Sequence, residues 1–510
     1  MTDRQGPHGA GEASAPDAAK EAPPLTSSVL RGTLWSVGMR WSVRLLGLVN
    51  IAIIARILTP ADFGLVAMAM AVVALTTVLL DFGVAWALLR NKHADREDYD
   101  TCWTIRILQS MAIGVIVAAA GPLAADYYND ARVGTLVYFT AAAVFVQGFE
   151  NIGTIDFRKQ LQFDKDFRYN LVIQLATVAV SIGLAFAFRN YYSLVLAQLF
   201  RAGFTVGLSY VMSAYRPRFS LSRARSIWGF SQWSLINGIA GFLQSRSGTL
   251  ILGRFAPPAQ IGFYVQATEI ADLATTDLIM PLNRVLVPSF AQLADDAERA
   301  ASAFLKALTA TMMVAAPVSV GLALVAPEVV QLWLGTQWIG VVPLMQILAI
   351  FATSRSITSI SGSMLTVLGF YRFVSITAWC QAVLFVVGAV LAVQKAGVVG
   401  VAWVQAGVGI LAALSTMFWL VRLSAVRVLP LLGAIWRPLT ACGMMILAVT
   451  GVAEATATLA PVLLLVLKVL VGAGVYGAAA LLLWWLSGRP DGIERVLLGH
   501  AAKRLGLAKA

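Results

Sequence analysis

ARILTPADFG at residues 55–64 returns as GRFAPPAQIG at 253–262. The shared pattern R-x-x-x-P-A-x-x-G pairs Arg56, Pro60, Ala61 and Gly64 with Arg254, Pro258, Ala259 and Gly262, at a constant offset of 198 residues. The same offset lays Trp35-Ser36 on Trp233-Ser234, and chance in a biased composition does not easily give both matches in register. Each copy lies between two long apolar runs, and six such runs separate the copies. An even number of crossings means that both copies run in the same direction. The pattern predicts two parallel repeats of six helices facing each other across a central cavity, a transporter layout.

Of the 510 residues, 59% are hydrophobic and 13% charged, against roughly 25% charged in an ordinary soluble domain. The mean hydropathy is +0.77. A soluble globule needs a polar exterior that this composition cannot supply, and disorder, a collagen-like fibre or a disulfide-rich secreted domain fails on the same numbers. The fold class is therefore an all-α polytopic membrane protein.

Crossing about 30 Å of hydrocarbon takes around 20 apolar residues in a helix. Fourteen stretches qualify: 34–55, 63–89, 105–125, 133–153, 169–188, 191–213, 227–253, 260–288, 303–326, 341–369, 373–394, 397–421, 433–453 and 459–486. Twelve fill the two repeats, and segments 13 and 14 are an appendage. The expected organisation is a disordered cytoplasmic tail at 1–28 with no signal-peptide core, halves at 29–215 and 226–422, a cytoplasmic linker at 216–225, helices 13 and 14 at 423–488, and a basic cytoplasmic tail at 489–510. The apolar VVQLWLGTQW (329–338) is too short to span and is expected at the interface, with Trp333 and Trp338 at headgroup depth.

Lysine and arginine gather in alternate loops. Those after segments 2, 4 and 6 hold Arg90, Lys92 and Arg96, then Arg158, Lys159, Lys165 and Arg168, then Arg216, Arg218, Arg223 and Arg225. Those after segments 1, 3, 5 and 7 hold one each: Arg56, Arg132, Arg189 and Arg254. The basic side is the cytoplasmic one, so both termini are expected in the cytoplasm. The net charge of +12 then reflects topology and anionic lipid headgroups, not a nucleic-acid surface. Three scattered cysteines (Cys102, Cys380, Cys442) and three histidines in tails or a loop (His8, His93, His500) predict neither a disulfide framework nor a metal centre, and no cofactor.

The informative residues are the charges inside the apolar runs, each costly unless it faces a cavity or a partner. Arg40 and Arg44 lie one turn apart in segment 1, Arg201 is midway along segment 6, Arg246 is inside segment 7 and Arg355 is near the centre of segment 10. Guanidinium groups bind phosphate oxygens bidentately, so an interior lined by them suits a diphosphate or acidic sugar. The competing reading is that they snorkel to an interface or pair with acids. Asp81 interrupts segment 2, and Glu269, Asp272 and Asp277 interrupt segment 8, its repeat counterpart. These acids either pair with the arginines or take up Na⁺ or H⁺ to drive a cycle. Trp35, Trp41, Trp233, Gln174, Gln198 and Gln244 are candidate sugar contacts. Lys468 reads as lipid-facing or a local anchor, and Glu150 and Asp156 as solvated.

ARILTPADFGLVAMAMAVVALTTVLLDFGVAWALLRNKH (55–93) resembles the opening of bacterial polysaccharide flippases of the Wzx/WzxC type, in the multidrug/oligosaccharidyl-lipid/polysaccharide (MOP) exporter superfamily. DFRKQLQFDKDFRYNLV (156–172), GTLILGRFAPPAQIGFYVQATEIADL (248–273) and PLNRVLVPSFAQLADD (281–296) are similar to later stretches of the same family, and the resemblance runs from about Leu30 to Leu420. It implies a carrier, not an enzyme, that turns an undecaprenyl-diphosphate-linked oligosaccharide from the cytoplasmic to the periplasmic leaflet for exopolysaccharide, O-antigen or capsule synthesis. It implies, too, that Arg40, Arg44 and Arg246 hold the diphosphate, that Arg56 and Arg254 are structural elements, and that a polysaccharide polymerase and a chain-length regulator are partners. One departure stands out: where relatives carry Asn-x-Asp before the LILGR stretch, this chain has Arg246-Ser247-Gly248. The missing acid weakens any cation site in segment 7.

Three other readings compete. A multidrug or cation exporter of the superfamily would carry an acidic cavity, whereas arginines are prominent here. A lipid II flippase shares both the architecture and the phosphate chemistry. A membrane ligase or polymerase would carry a large outer loop, and the loops here are short.

Overall fold

In hydrocarbon a chain can satisfy its backbone groups only by forming helices or a closed barrel, and every regular element among the described residues is helical. The structure is a computed structural model that describes residues 25–80, 88, 94–160, 162–224, 231–293, 295–456 and 459–488. Along 25–37, 39–40, 79–80, 231–237 and 274–285 it describes the helix without the side chains. The helices are α1 (Leu25–Ile57), α2 (Pro60–Leu80), α3 (Arg96–Ala119), α4 (Gly121–Tyr128), α5 (Ala131–Gln147), α6 (Asp156–Lys159), α7 (Phe163–Phe188), α8 (Tyr192–Met212), α9 (Ser231–Ser245), α10 (Ser247–Phe255), α11 (Pro258–Gln292), α12 (Ala297–Leu324), α13 (Ala326–Val329), α14 (Val341–Val367), α15 (Tyr371–Leu423), α16 (Val428–Ala455) and α17 (Pro461–Leu486). Nine of them are long and apolar enough to cross a membrane. Each of the fourteen expected segments falls on a helix or on a helix broken within it. Asp81 and the tails at 1–24 and 489–510 lie outside the described residues, as do the side chains of Trp35, Arg40, Trp233 and Asp277.

Segments 11 and 12 are the two arms of α15, turned at Gly397, whose φ of 58° and ψ of −143° interrupt the helix. The arms pack antiparallel in a fixed register. Phe373 stacks on Trp419 with centroids 4.4 Å apart, and the Thr377 and Ser415 hydroxyls are 3.3 Å apart. A Cβ on Gly388 would lie 2.7 Å from Val404. These pairs are the rungs of a single helical hairpin.

The repeated motif marks two helix boundaries and then joins them. In each copy the arginine sits in the last turn of one helix, α1 or α10, and the proline opens the next, α2 or α11, where its missing N–H costs nothing. Helices α2 and α11 then cross at their first turns. A Cβ on Gly64 would fall 1.8 Å from the Pro258 carbonyl oxygen, and one on Gly262 would fall 2.0 Å from the Pro60 oxygen. Only glycine allows backbones this close. The arginines reach further: Arg56 donates to the Leu332 carbonyl and Arg254 to the Tyr127 carbonyl at 2.7 Å. Leu332 and Tyr127 lie in the short connectors that follow segments 9 and 3. Each motif arginine therefore bonds the connector of the opposite repeat.

The stretch 329–338 is too short to span, as expected, and is not one regular helix. It forms a π-helical turn, Val330–Leu334, and a 3₁₀ turn, Thr336–Trp338, packed against the end of α1. Trp338 is fully buried against Phe63 and Phe263, and its Nε1 donates to the Ala55 carbonyl at 2.7 Å. Trp333 Nε1 donates to Leu48 O at 3.2 Å, and Gln337 Nε2 to Ala55 O and Leu58 O at 2.6 and 3.1 Å. The reason is the unpaired carbonyls at the C-terminus of α1, which need donors that lipid cannot provide.

Glu150 is not solvated either. It pairs with Arg106 at 2.5 Å and accepts from the Tyr169 hydroxyl at 2.9 Å, while Asp156 accepts from the Tyr99 hydroxyl. Helix α5 turns through 73° into the Ile152–Lys159 stretch just beyond Glu150, which folds both carboxylates back on the bundle.

Candidate functional site

Hydropathy predicts one helix over 227–253, but the helix breaks at Arg246, whose φ and ψ are −125° and −18°. Two serines supply the cause. Ser245 Oγ donates to Gly241 O at 2.8 Å, and Ser247 Oγ donates to Leu243 O, so side chains compete for the carbonyls of the preceding turn. The break leaves the Arg246 side chain exposed inside the bundle, at the junction of α9 and α10.

Opposite it, α11 carries Glu269 and Asp272 three residues apart, hence on one face. The guanidiniums of Arg44, on α1, and Arg246 lie within electrostatic reach of both carboxylates. Arg44 and Arg246 come from segments 1 and 7, the repeat-related pair. Asp272 is further engaged by Arg355 of α14, with Nη1 2.5 Å from Oδ1, and Arg355 sits 5.6 Å from the centre of the Phe351 ring. Both partners are more than a third exposed, so the pair faces a void and contributes modestly, about 0–1 kcal/mol.

The structure thus brings Arg44, Arg246, Glu269, Asp272 and Arg355 into one mixed cluster. Arg201 is held elsewhere: its Nη1 donates to Gln174 Oε1 at 3.2 Å, within the first six segments. The candidate sugar contacts divide similarly. Gln244 Nε2 is tied to the Ala378 carbonyl at 2.8 Å, and Gln198 Nε2 approaches Met70 Sδ at 3.1 Å. Trp41 and Arg44 line one end of a cavity of about 920 Å³ between α1, α11, α12, α16 and α17, walled mostly by apolar side chains such as Leu48, Val318 and Val469. Among the described residues no group of three or more His, Cys, Asp or Glu side chains could hold a metal.

Of the two readings of Lys468, lipid-facing or a local anchor, the first is wrong. It lines the same cavity, is 7% exposed and forms an ion pair with Glu328 at 2.7 Å. No local signal could have found that pair, because the partners are 140 residues apart.

The chain is similar to the lipopolysaccharide biosynthesis protein WzxC of Escherichia coli (strain K12), 26% identical over 387 residues that cover 74% of this chain and 77% of that one. It is similar to the succinoglycan biosynthesis transport protein ExoT of Rhizobium meliloti (strain 1021), 28% identical over 329 residues that cover 63% and 66%. Among solved structures, the lipid II flippase MurJ in an inward closed conformation has the same fold, with a TM-score of 0.71 at 13% identity over 89% of this chain and 99% of that one. Residues 53–343, more than half the chain and inclusive of both motif copies and of Arg246, Glu269 and Asp272, match one family throughout, and the chain belongs to the polysaccharide biosynthesis protein family.

Proposed function

We propose that the protein is a carrier, not an enzyme, that turns a polyprenyl-diphosphate-linked oligosaccharide from the cytoplasmic to the periplasmic leaflet of the bacterial inner membrane. Its two halves, 29–215 and 226–422, are joined by the linker 216–225 and accompanied by helices 13 and 14 at 423–488. Both termini face the cytoplasm. The reading is supported by family membership and by relatives named for lipopolysaccharide biosynthesis and succinoglycan transport. The single observation that carries it is that Arg44 and Arg246, from repeat-related segments, both lie within electrostatic reach of Glu269 and Asp272.

The physics divides the labour. The polyprenyl tail stays in lipid, while the diphosphate must cross with its charge balanced. Burying an unpaired ion costs several kcal/mol after relaxation, about the scale that two or three charge-assisted hydrogen bonds of about 1.5–3 kcal/mol each can offset. Arg40, Arg44 and Arg246 are the residues assigned to hold it, with Arg201 and Arg355 as further cavity arginines. Alternating exposure then comes from one half rocking against the other. A cation exporter would want the acids in excess, whereas arginines outnumber carboxylates in this cluster.

The test is polymer export in a strain lacking the native protein, with membrane levels checked for each variant. Arg40→Ala, Arg44→Ala and Arg246→Ala should each cut export, and Arg→Lys should cut it less, since lysine keeps the charge but loses the planar fork. Wild-type export from the triple alanine variant would overturn the diphosphate site.

A further inference from the structure

Lys468 and Glu328 form, among the described residues, an ion pair withdrawn from solvent on both sides, with each side chain 8% exposed. Lys468 Nζ lies 2.7 Å from Glu328 Oε1 and donates to Leu324 O at 3.4 Å, while Glu328 Oε2 has no hydrogen-bond partner. As adhesive such a pair is poor, because desolvating two ions can outweigh their attraction, and apolar side chains of the same size would serve as well. What an ion pair does supply is a single permitted geometry, and the geometry here concerns the far end of the molecule.

Glu328 belongs to α13, which runs without interruption into Val330–Leu334. That turn and the next are the ones bonded to the end of α1 through Arg56, Trp333, Gln337 and Trp338. Lys468 on α17 is thus linked, through one carboxylate and one short connector, to the C-terminus of α1. The corresponding connector of the first repeat, α4, packs against α3, α5 and α10, all within the twelve repeat segments. The connector of the second repeat is also held by a helix outside them.

We infer that Lys468 is a positioning residue for transport: through Glu328 it makes the last helix a strut that holds the 326–338 connector over the end of α1, so that the face bearing the motif cannot open without displacing the pair. Helices α16 and α17 then govern the opening of that face instead of merely flanking the repeats. The meaning given to opening rests on the flippase reading, but the contact itself does not.

Ala55 reports on the strut. It is fully buried, and its carbonyl is the acceptor for both Trp338 and Gln337. The experiment places a single reporter, Ala55→Cys, in a chain with Cys102, Cys380 and Cys442 replaced by serine, and follows labelling by a membrane-impermeant maleimide in intact cells. Lys468→Met and Glu328→Gln should each speed labelling by about tenfold or more, because removing one partner leaves the other buried and uncompensated. The exchanged pair Lys468→Glu with Glu328→Lys should bring the rate back towards that of the parent. If Lys468→Met does not reach the membrane, the double variant Lys468→Met/Glu328→Gln, which buries no lone charge, takes its place and should also label fast. Parent-like labelling in every variant that accumulates normally would overturn the strut. The assay reads labelling and not transport, so its failure is separate from any failure of the flippase reading, which export alone decides.

Discussion

Gly64 and Gly262 each face a carbonyl oxygen of the opposite repeat, Pro258 O against the first and Pro60 O against the second. The contact is reciprocal, as expected for two copies of one motif related by a two-fold-like rotation. Alanine at either position must push α2 and α11 apart at their first turns, at a cost of about 1–3 kcal/mol, the usual range for overpacking. Gly64→Ala and Gly262→Ala should lower the thermal stability of the purified protein by similar amounts. The double variant should lose less than both together, because once the helices part the second methyl finds room. Unequal losses, or full additivity, in thermal unfolding of the three variants would contradict the reciprocal contact.

Gly397 gives a sharper contrast within one helix pair. Its φ of 58° with ψ of −143° lies where residues with a Cβ are strained by about 1–3 kcal/mol, and the whole α15 hairpin turns on it. Gly407, farther along the second arm, is helical with open space around it. Gly397→Ala should destabilise the protein in a thermal melt, whereas Gly407→Ala should leave it unchanged or slightly more stable. Equal effects would mean that the turn does not need its glycine.

Much of the fold was legible because hydrocarbon permits so few solutions: a run of apolar residues of the right length is helical, and among the described residues such runs are helical. The repeat was legible for a similar reason, since the glycine and proline at its core answer to backbone geometry, which leaves a mark in sequence. Where reading failed, the cause was partnering at long range. Trp338 carries no local sign of its partner, since its indole N–H serves an acceptor 283 residues away at Ala55. Lys468 looked isolated because Glu328 is distant in the chain. Arg355 could be read as a cavity cation, and the sequence does not show that Asp272 already holds it. The break at Arg246 is the intermediate case, since Ser245 and Ser247 flank it in plain view, but hydropathy averages over them.

Orientation follows from the same asymmetry of charge that the loops carry. A cysteine introduced at Ala94, in the basic loop between α2 and α3, should resist an impermeant maleimide in intact cells and react once the cells are opened. One at Thr59, at the motif-bearing end, should do the reverse and react in intact cells. Labelling of the Ala94 position from outside would invert the topology and with it the direction of transport.

The charged cluster makes a prediction about release that the arginines alone do not. Glu269 shares Arg44 and Arg246 with whatever anion enters, so the carboxylate competes with a diphosphate for the same donors. A carrier must let go at the far leaflet, and a competing carboxylate lowers affinity without removing the site. Glu269→Gln keeps the shape of the side chain but withdraws the negative charge. Pyrophosphate should then bind the solubilised protein about tenfold more tightly, which corresponds to roughly 1.4 kcal/mol of charge interaction. Polymer export in the deletion strain should fall despite the tighter binding, because release becomes the slow step. Arg44→Ala and Arg246→Ala should instead weaken pyrophosphate binding and lower export together. Calorimetric titration with pyrophosphate separates the two patterns: binding by Glu269→Gln that is equal to or weaker than the parent's would show that Glu269 does not compete for the arginines.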